Sequence, residues 1–249
     1  METLYDPVTL LMIFTTFVIA GCVKGVVGIG LPSVSVTLLT ISIGLPEAMG
    51  LLLMPTFVAN IFQAVVGGST GQLLKRIWSF LLMAVLFVWL GSLIFINVNL
   101  DLVSSLLGAT LIAHSLISLA NFQITVPKSR EKIMGILLGA ANGTLGGMTG
   151  SFVIPGVLYL NAIGLPRDLM IQAVGMLFAL STAALAVAMG HNNILSFDLW
   201  LLSSVSVIPA IIGMILGKYI RSMLSEKIFK KVFFISLFSL GFYILTRSI

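Results

Sequence analysis

Charged residues are scarce in this sequence. Aspartate, glutamate, lysine and arginine make up 8% of its 249 residues, whereas 59% are hydrophobic and the mean hydropathy is +1.17. A water-soluble domain carries about 25% charged residues, so this composition excludes one. Apolar runs close to the ~20 residues that cross a bilayer recur along the chain, at residues 77–96, 102–119 and 199–217. We therefore expect an all-α polytopic membrane protein.

Cysteine and histidine are also nearly absent. The single cysteine, Cys22, excludes an internal disulfide and a cysteine metal site, and two histidines argue against a histidine-rich metal carrier. The sequence has no His-Glu-x-x-His zinc motif, no Gly-x-Ser-x-Gly elbow and no Walker A loop. These absences argue against an enzyme and against a self-contained ATP-driven pump. We expect no metal and no cofactor.

A positively charged start is missing as well. Residues 1–7 contain Glu2 and Asp6 but no basic residue, whereas a signal peptide begins with positive charge. We therefore expect the first apolar run to be retained as part of the membrane domain.

Glycine, by contrast, is abundant and is arranged in a repeated pattern. Three glycines recur with the same spacing in the two halves of the chain, and a Gly-Leu-Pro triplet and a Trp–Gly pair follow each set at offsets of 118, 120 and 122 residues. We infer a duplication, with a first repeat at residues 1–122 and a second at 123–249 of one membrane domain. The matched positions are Gly21, Gly25 and Gly28 with Gly139, Gly143 and Gly146; residues 44–46 with 164–166; and Trp78 and Gly91 with Trp200 and Gly213.

Each half is predicted to hold one glycine-broken helix hairpin followed by three membrane spans. The predicted first arms cover residues 8–27 and 133–145, and the predicted second arms cover residues 32–43 and 151–163. A second arm of about 12 residues is ~18 Å long, which is too short for ~30 Å of hydrocarbon. Each broken pair therefore either makes one crossing together or dips into the membrane and returns.

The distribution of basic residues favours the hairpins that dip and return. That arrangement places 11 of the 13 basic residues on one side, whereas the single crossing splits them between both sides. Each half then crosses an odd number of times, so the two repeats are inverted. We expect a multi-pass protein of the cell inner membrane with an extracytoplasmic N-terminus and with Ser69 and Ser129 on the cytoplasmic side. The net charge of +5 reflects this topology and not a nucleic-acid partner.

Two broken helices inside a membrane predict an anion-binding site. After a break, the second arm begins with unpaired N–H groups and the positive end of its dipole, and glycine lets backbone approach a ligand closely. Paired breaks in inverted repeats are typical of secondary transporters, with the site near the bilayer midplane. The predicted substrate-binding residues are Lys24, Gly25, Gly28, Gly30, Ser33, Asn142, Gly143, Gly146, Gly147, Thr149 and Ser151, and the predicted lining residues are Asn60, Gln63 and Gln172.

Several of these residues have a structural alternative. Lys24 lies one turn before the first break, where a buried ammonium needs a partner. The glycine alignment pairs it with Asn142 and not with an acid, so its expected partner is a transient anion. The alternative is a structural bond to carbonyls of the broken helix. The glycines also fit close helix packing, and Asn60, Gln63 and Gln172 fit interhelical hydrogen bonds.

The glycine-broken first arm, the Gly-Leu-Pro triplet and their repetition resemble the TauE/SafE family of sulfite exporters over nearly the whole chain. The resemblance implies transport of sulfite, sulfonates and related small organic anions across bacterial inner membranes, usually outward. Lys24 fits the family's first glycine segment. We expect a secondary transporter that exports such an anion by alternating access. An anion channel and a non-transporting membrane scaffold are the alternatives. The sequence leaves open the anion, the direction, the coupling ion and whether the chain forms a homo-oligomer.

Overall fold

The computed structural model of the chain describes residues 2–66, 70–120, 124–223 and 225–248. Within these ranges the fold is all-helical, with eleven α-helices, two short 3-10 turns and no strand. The α-helices are α1 (Pro7–Val27), α2 (Leu31–Ile43), α3 (Leu45–Val65), α4 (Thr70–Asn97), α5 (Leu100–Leu119), α6 (Glu131–Thr149), α7 (Gly156–Ala162), α8 (Arg167–His191), α9 (Phe197–Val205), α10 (Val207–Met223) and α11 (Glu226–Arg247).

Seven helical segments in the described residues are long and apolar enough to cross a membrane. Six of them are α1, α3, α4, α5, α8 and α11, and α9 with α10 forms the seventh, interrupted at Ser206. The 13 residues of α2 and the seven residues of α7 are too few to cross alone. The predicted class of all-α polytopic membrane protein is confirmed.

The first predicted break lies between α1 and α2. Asp6 caps the start of α1 by accepting hydrogen bonds from the backbone N–H groups of Val8 and Thr9. The helix ends where Gly28 takes a φ of 87°, and Gly30 follows with a φ of 107°. Both values lie in the left-handed region, which is costly for any residue with a Cβ. The two glycines therefore allow the chain to leave one helix and begin another within three residues.

The second break lies later in the chain than the sequence predicted. The first arm, expected to end at residue 145, continues through α6 to Thr149 and ends at Gly150, which has a φ of 72°. The second arm, expected over residues 151–163, is the shorter helix α7. The prediction was wrong because it took Gly146 as the terminating glycine. Gly146 instead lies inside α6, where the ring of Phe152 occupies the space that a side chain would fill.

Glycines hold two pairs of parallel helices at backbone contact. The pairs are α1 with α10 and α6 with α4. A Cβ added to Gly25 of α1 would lie 3.0 Å from the Cα of Gly217, and one added to Gly147 of α6 would lie 3.0 Å from the Cα of Gly91. Such close approach is what small residues provide in membrane helix pairs. The packing use predicted for the glycines is therefore present in both hairpins.

These contacts also change the correspondence between the two hairpins. Gly25 and Gly147 meet the same kinds of backbone atoms on their partner helices. Gly28 and Gly150 each end a first arm in the left-handed conformation. The matched position of Lys24 is then Gly146, one helical turn after Asn142. The sequence alignment was displaced because glycines spaced three and four apart match in more than one register.

Side-chain bonds show which helix ends lie together. Arg76, near the start of α4, forms a bidentate pair with Glu131 at the start of α6 and also donates to the carbonyl of Ile163 after α7. Hairpin α6–α7 therefore begins and ends at one end of the bundle. We call this end the basic face because it carries Lys75, Arg76, Lys128 and Arg130. Ser129 lies there, whereas Ser69 and the predicted repeat boundary at 122/123 fall outside the described residues.

The other hairpin begins and ends at the opposite end, which we call the acidic face. The hydroxyl of Tyr5, just before α1, donates to Asp198 at the start of α9. Glu47, which follows the end of α2, lines one cavity together with Asp101 at the start of α5 and Arg247 at the end of α11. The start of α1 and the residues that follow α2 thus lie at the acidic face, and the start of α6 and the residues that follow α7 lie at the basic face.

The glycine contacts predict a stability change that can be measured. Gly213→Ala places a methyl group against the carbonyl of Val18 and 2.9 Å from the backbone nitrogen of Cys22. We expect this overpacking to cost about 1–3 kcal/mol and to lower the thermal unfolding midpoint of the detergent-solubilised protein by several degrees. Gly190→Ala is the matched control, because an added Cβ there meets nothing within 4 Å. Equal midpoints for the two variants would contradict the close packing of α1 and α10.

Candidate functional site

Lys24 is a buried cation without an acidic partner. It lies in the last turn of α1 and is 4% exposed. Its Nζ donates to the Oδ1 of Asn60 at 2.6 Å and to the Oε1 of Gln63 at 2.7 Å. The ion pair between Arg76 and Glu131 lies elsewhere. An ammonium has three N–H donors, and within the described ranges two of them are used, both by neutral acceptors.

The two amides that hold Lys24 are themselves fixed. The Nδ2 of Asn60 donates to the carbonyl of Thr56 at 2.7 Å, and the Nε2 of Gln63 donates to the carbonyl of Ile171 at 2.7 Å. Because their nitrogens are engaged, both amides present oxygen to the lysine. Asn60 and Gln63 therefore make the interhelical hydrogen bonds that the structural alternative predicted, and their role as lining residues stays a prediction. Gln172 lies on the neighbouring helix and bonds to α3 and α4, not to Lys24.

Helix α2 begins just after the break that follows α1, and its N-terminus has no side-chain cap. Gly30 occupies the N-cap position and supplies no side chain, and Pro32 has no N–H. The hydroxyl of Ser33 is fully buried and has no hydrogen-bond partner. The hydroxyl of Ser35, in contrast, bonds to the carbonyl of Leu31 in its own helix. The positive end of the α2 dipole and an unused hydroxyl donor thus lie together near the first break.

The space around the first break is open at one glycine and closed at the other. A Cβ added to Gly28 would meet nothing within 4 Å. One added to Gly30 would meet the side chains of Val23 and Phe233, at 3.0 and 3.2 Å. Gly25 faces α10 and serves the helix contact described above. There is therefore open space next to Gly28 and none next to Gly30.

The donors around the second break are already bound within the chain. Gly150 donates to the carbonyl of Gly146, Ser151 donates to the hydroxyl of Thr149, and Gly156 at the start of α7 donates to Asn142. The N–H groups of Gly150 and Ser151 therefore have partners within the chain, and anion binding by residues 146–151 stays a prediction. The unused polar atom in this region is the buried Nδ2 of Asn142.

Apolar side chains also fill the second break. Gly150 is packed by Met49, Leu52 and Val36, and Gly143 and Gly147 pack against the backbone of α4. Gly217 of α10 packs against α1, and Gly91 of α4 packs against α6. Each of these glycines lies roughly 9 Å before the last residue of its own helix. Each break therefore lies beyond the middle of the bundle, counted from the face at which its first arm begins. The two breaks therefore differ: a polar cluster lies near the first, whereas apolar side chains fill the second.

Three further hydroxyl groups are buried, and no role was predicted for them from the sequence. Thr56, Ser181 and Thr182 are almost completely buried, and their hydroxyl oxygens have no partner. Thr56 lies one turn before Asn60 on α3, so it shares the face that meets Lys24. The i, i+4 spacing from Asn60 was the signal that could have found it. Ser181 and Thr182 lie in the second half of α8, and no comparable spacing marks them.

A family model described as Sulfite exporter TauE/SafE matches residues 13–244 of the chain. The same comparisons give no match among curated proteins and none among solved structures.

The bond between Asn60 and Lys24 can be tested through stability. Asn60→Leu removes one acceptor from a buried ammonium, and we expect a loss of about 2–3 kcal/mol in the free energy of unfolding. Lys24→Met with Asn60→Leu leaves no unpaired charge and is expected to lose less than the sum of the two single losses, measured by thermal unfolding in detergent.

The control for this cycle is Asn97→Leu, because the Nδ2 of Asn97 makes the same i−4 backbone bond, to Leu93, on an exposed site. Additive effects of the two substitutions at positions 24 and 60 would contradict the bond.

Proposed function

Because this chain belongs to the sulfite exporter TauE/SafE family, we propose that it is a secondary transporter of small anions whose substrate is sulfite or an organosulfonate. The family match covers residues 13–244, nearly the whole length. Membership of the family makes the chain a multi-pass membrane transporter of the sulfite or anion type. The substrate, the outward direction and the residues that bind the anion are our proposals.

The observation that carries the proposal is the buried charge of Lys24. Its ammonium is held by two neutral amides and retains one free donor. Burial of such a charge is costly, and in membrane proteins it marks an ion or substrate path. Sulfite and sulfonates are compact anions with several acceptor oxygens, so they can supply both the missing charge and the missing acceptor. Charge-assisted hydrogen bonds of this kind are about twice as strong as neutral ones.

The start of α2 supplies further donors for the same anion. We place the oxygens of the substrate near the N–H groups that follow Gly30 and near the hydroxyl of Ser33. Helix N-termini bind sulfate-like and carboxylate groups through unpaired N–H groups and the helix dipole. The predicted second-half residues Asn142, Gly143, Gly146, Gly147, Thr149 and Ser151 remain candidates for a different conformation. Of these, Asn142 is the strongest, because its Nδ2 is buried without a partner.

Alternating access is supported by the packing of helices from one half of the chain against helices from the other half. Helix α1 of the first half packs along α10 of the second, and α6 of the second half packs along α4 of the first. The hairpins enter from opposite faces, as expected for inverted repeats. We propose that the halves are residues 1–122 and 123–249, and that their relative rocking exposes the Lys24 site to each face in turn.

The charge distribution supports a topology for this transporter. Lys75, Lys128 and Arg130 lie on the basic face with Arg76, and the positive-inside rule makes this face cytoplasmic. The chain start, beside Asp198, is then extracytoplasmic, and the membrane is the cell inner membrane. In the export direction, the substrate moves from the basic face to the acidic face.

Flux measurements test the function directly. Purified protein in liposomes is given sulfite, sulfoacetate, taurine, thiosulfate or chloride, and we expect carrier-rate flux of sulfite or a sulfonate. Lys24→Gln removes the charge and is expected to lower the flux at least tenfold. Lys75→Gln is the control, since Lys75 is exposed on the basic face.

Each outcome of that experiment has a distinct reading. Absence of flux for all five anions would contradict transport and favour the scaffold. Conduction far above carrier rates would favour the channel. Normal flux in Lys24→Gln would remove the lysine from the mechanism.

The role of the α2 N-terminus is tested by a pair of serines on one helix. Ser33→Ala removes an unused donor, and we expect about a tenfold rise in the KM for the transported anion, the effect of one hydrogen bond to a charged acceptor. Ser35→Ala is the matched control because the hydroxyl of Ser35 is satisfied inside the helix. If both variants raise the KM equally, the N-terminus of α2 is not the binding element.

A further inference from the structure

Two glutamines join α3 to α8 near the basic face by reciprocal bonds. Gln63, at the end of α3, donates to the carbonyl of Ile171 on α8 at 2.7 Å. Gln172, at the start of α8, donates to the carbonyl of Ala64 on α3 at 2.9 Å and to the hydroxyl of Thr70 at 2.9 Å. We call Gln63 and Gln172 the glutamine pair. Two of these bonds join α3 to α8, and the bond to Thr70 joins α8 to the start of α4.

The backbones of the two helices touch at the same level. A Cβ added to Gly175 of α8 would lie 2.7 Å from the backbone nitrogen of Ala64 and 2.9 Å from the carbonyl carbon of Gln63. This contact leaves no room for water between α3 and α8. The glutamine pair therefore lies across a closed seam that joins a helix of the first half to a helix of the second.

Gln63 connects this seam to the buried lysine. Its Oε1 accepts from Lys24 while its Nε2 bonds to α8. Lys24, Asn60 and Gln172 are buried, whereas Gln63 is half-buried and lies close to the end of α3 at the basic face. Gln63 is thus the most exposed of these four residues and lies near the end of α3 at the basic face.

We propose that the glutamine pair closes the Lys24 site towards the basic face, and that its bonds to the opposite helix break when the site opens there. Gln63 and Gln172 are positioning residues in this proposal, which rests on the proposed transport function. When the seam opens, Gln63 is free to move away from Lys24. The N–H group that Gln63 occupied can then donate to an anion that arrives from the basic face.

The chemistry of the seam suits a reversible closure. Amide-to-carbonyl bonds exchange for bonds to water at small net cost once a cavity fills with water. The second break differs, because Gly150 is packed by the apolar side chains of Met49, Leu52 and Val36. The two ends of the pathway are therefore closed by different interactions, and removal of the glutamine bonds favours opening at one face alone.

Gln172→Leu is the cleanest test because Gln172 does not contact Lys24. Substrate affinity seen from one face rises with the fraction of protein open to that face. In proteoliposomes, we expect the apparent KM at the basic face to fall about fivefold, the effect of one net hydrogen bond, and the apparent KM at the acidic face to rise. Gln72→Leu, on the exposed surface of α4, is the matched control and is expected to change neither value.

A second variant separates closure from charge. Gln63→Glu keeps an acceptor for Lys24 but cannot donate to the carbonyl of Ile171, and it neutralises the lysine. We expect loss of anion affinity from both faces in this variant. A face-specific change in Gln172→Leu together with a two-sided loss in Gln63→Glu supports the proposal. An equal change at both faces in Gln172→Leu would indicate general loosening and overturn it.

Thiol labelling tests the seam without any transport. In a Cys22→Ala background, Thr56→Cys places a thiol on the buried face of α3. Seen from the basic face, this thiol lies one helical turn deeper than Asn60. We expect Gln172→Leu to speed its modification from the basic face about fivefold, and Gln72→Leu to leave the rate unchanged. An unchanged rate in Gln172→Leu overturns the closure. A faster rate in a protein that moves no anion would keep the closure and refute the transport function instead.

Discussion

A positive charge buried inside a membrane bundle needs compensation, and Lys24 obtains it from amides and not from an acid. Each amide oxygen is turned towards the ammonium because the amide nitrogen is held elsewhere, by Thr56 or by Ile171. The charge therefore ties the end of α1 to α3 and, through Gln63, to α8. Neutral partners stabilise the ammonium without cancelling its field, which is the condition for attracting a small anion to the same place.

Glycine packing positions the two broken hairpins, including the end of α1 that carries Lys24. In the α1–α10 and α6–α4 pairs the two backbones are in contact. Each hairpin therefore packs along a membrane-spanning segment from the other half of the chain. The left-handed glycines at 28, 30 and 150 then let the chain leave the first arm at a fixed depth. The first break keeps an uncapped helix and free space beside Gly28. The second is filled by its own hydrogen bonds and by apolar side chains.

The sequence predicted the features that depend on local chemistry. Composition and run length identified the all-helical membrane fold, and the Gly28–Gly30–Pro32 arrangement located the first break within a residue or two. The spacing of Asn60 and Gln63 put them on one face. The second break was missed because Gly143, Gly146, Gly147 and Gly150 look alike in a sequence, and only the position of Phe152 and the contacts with α4 distinguish packing from termination. The bonds of Gln172 to α3 and α4 depend on the tertiary approach of these helices, which no local pattern contains.

The central claim is that the ammonium of Lys24 and the start of α2 bind the transported anion. Selenite is a heavy analogue of sulfite, so anomalous diffraction from crystals soaked in selenite reports the anion position directly. We expect a selenium peak within hydrogen-bond distance of the Nζ of Lys24 and close to the hydroxyl of Ser33. A peak at another position in a protein that transports sulfite, with the Lys24 region empty, would contradict it.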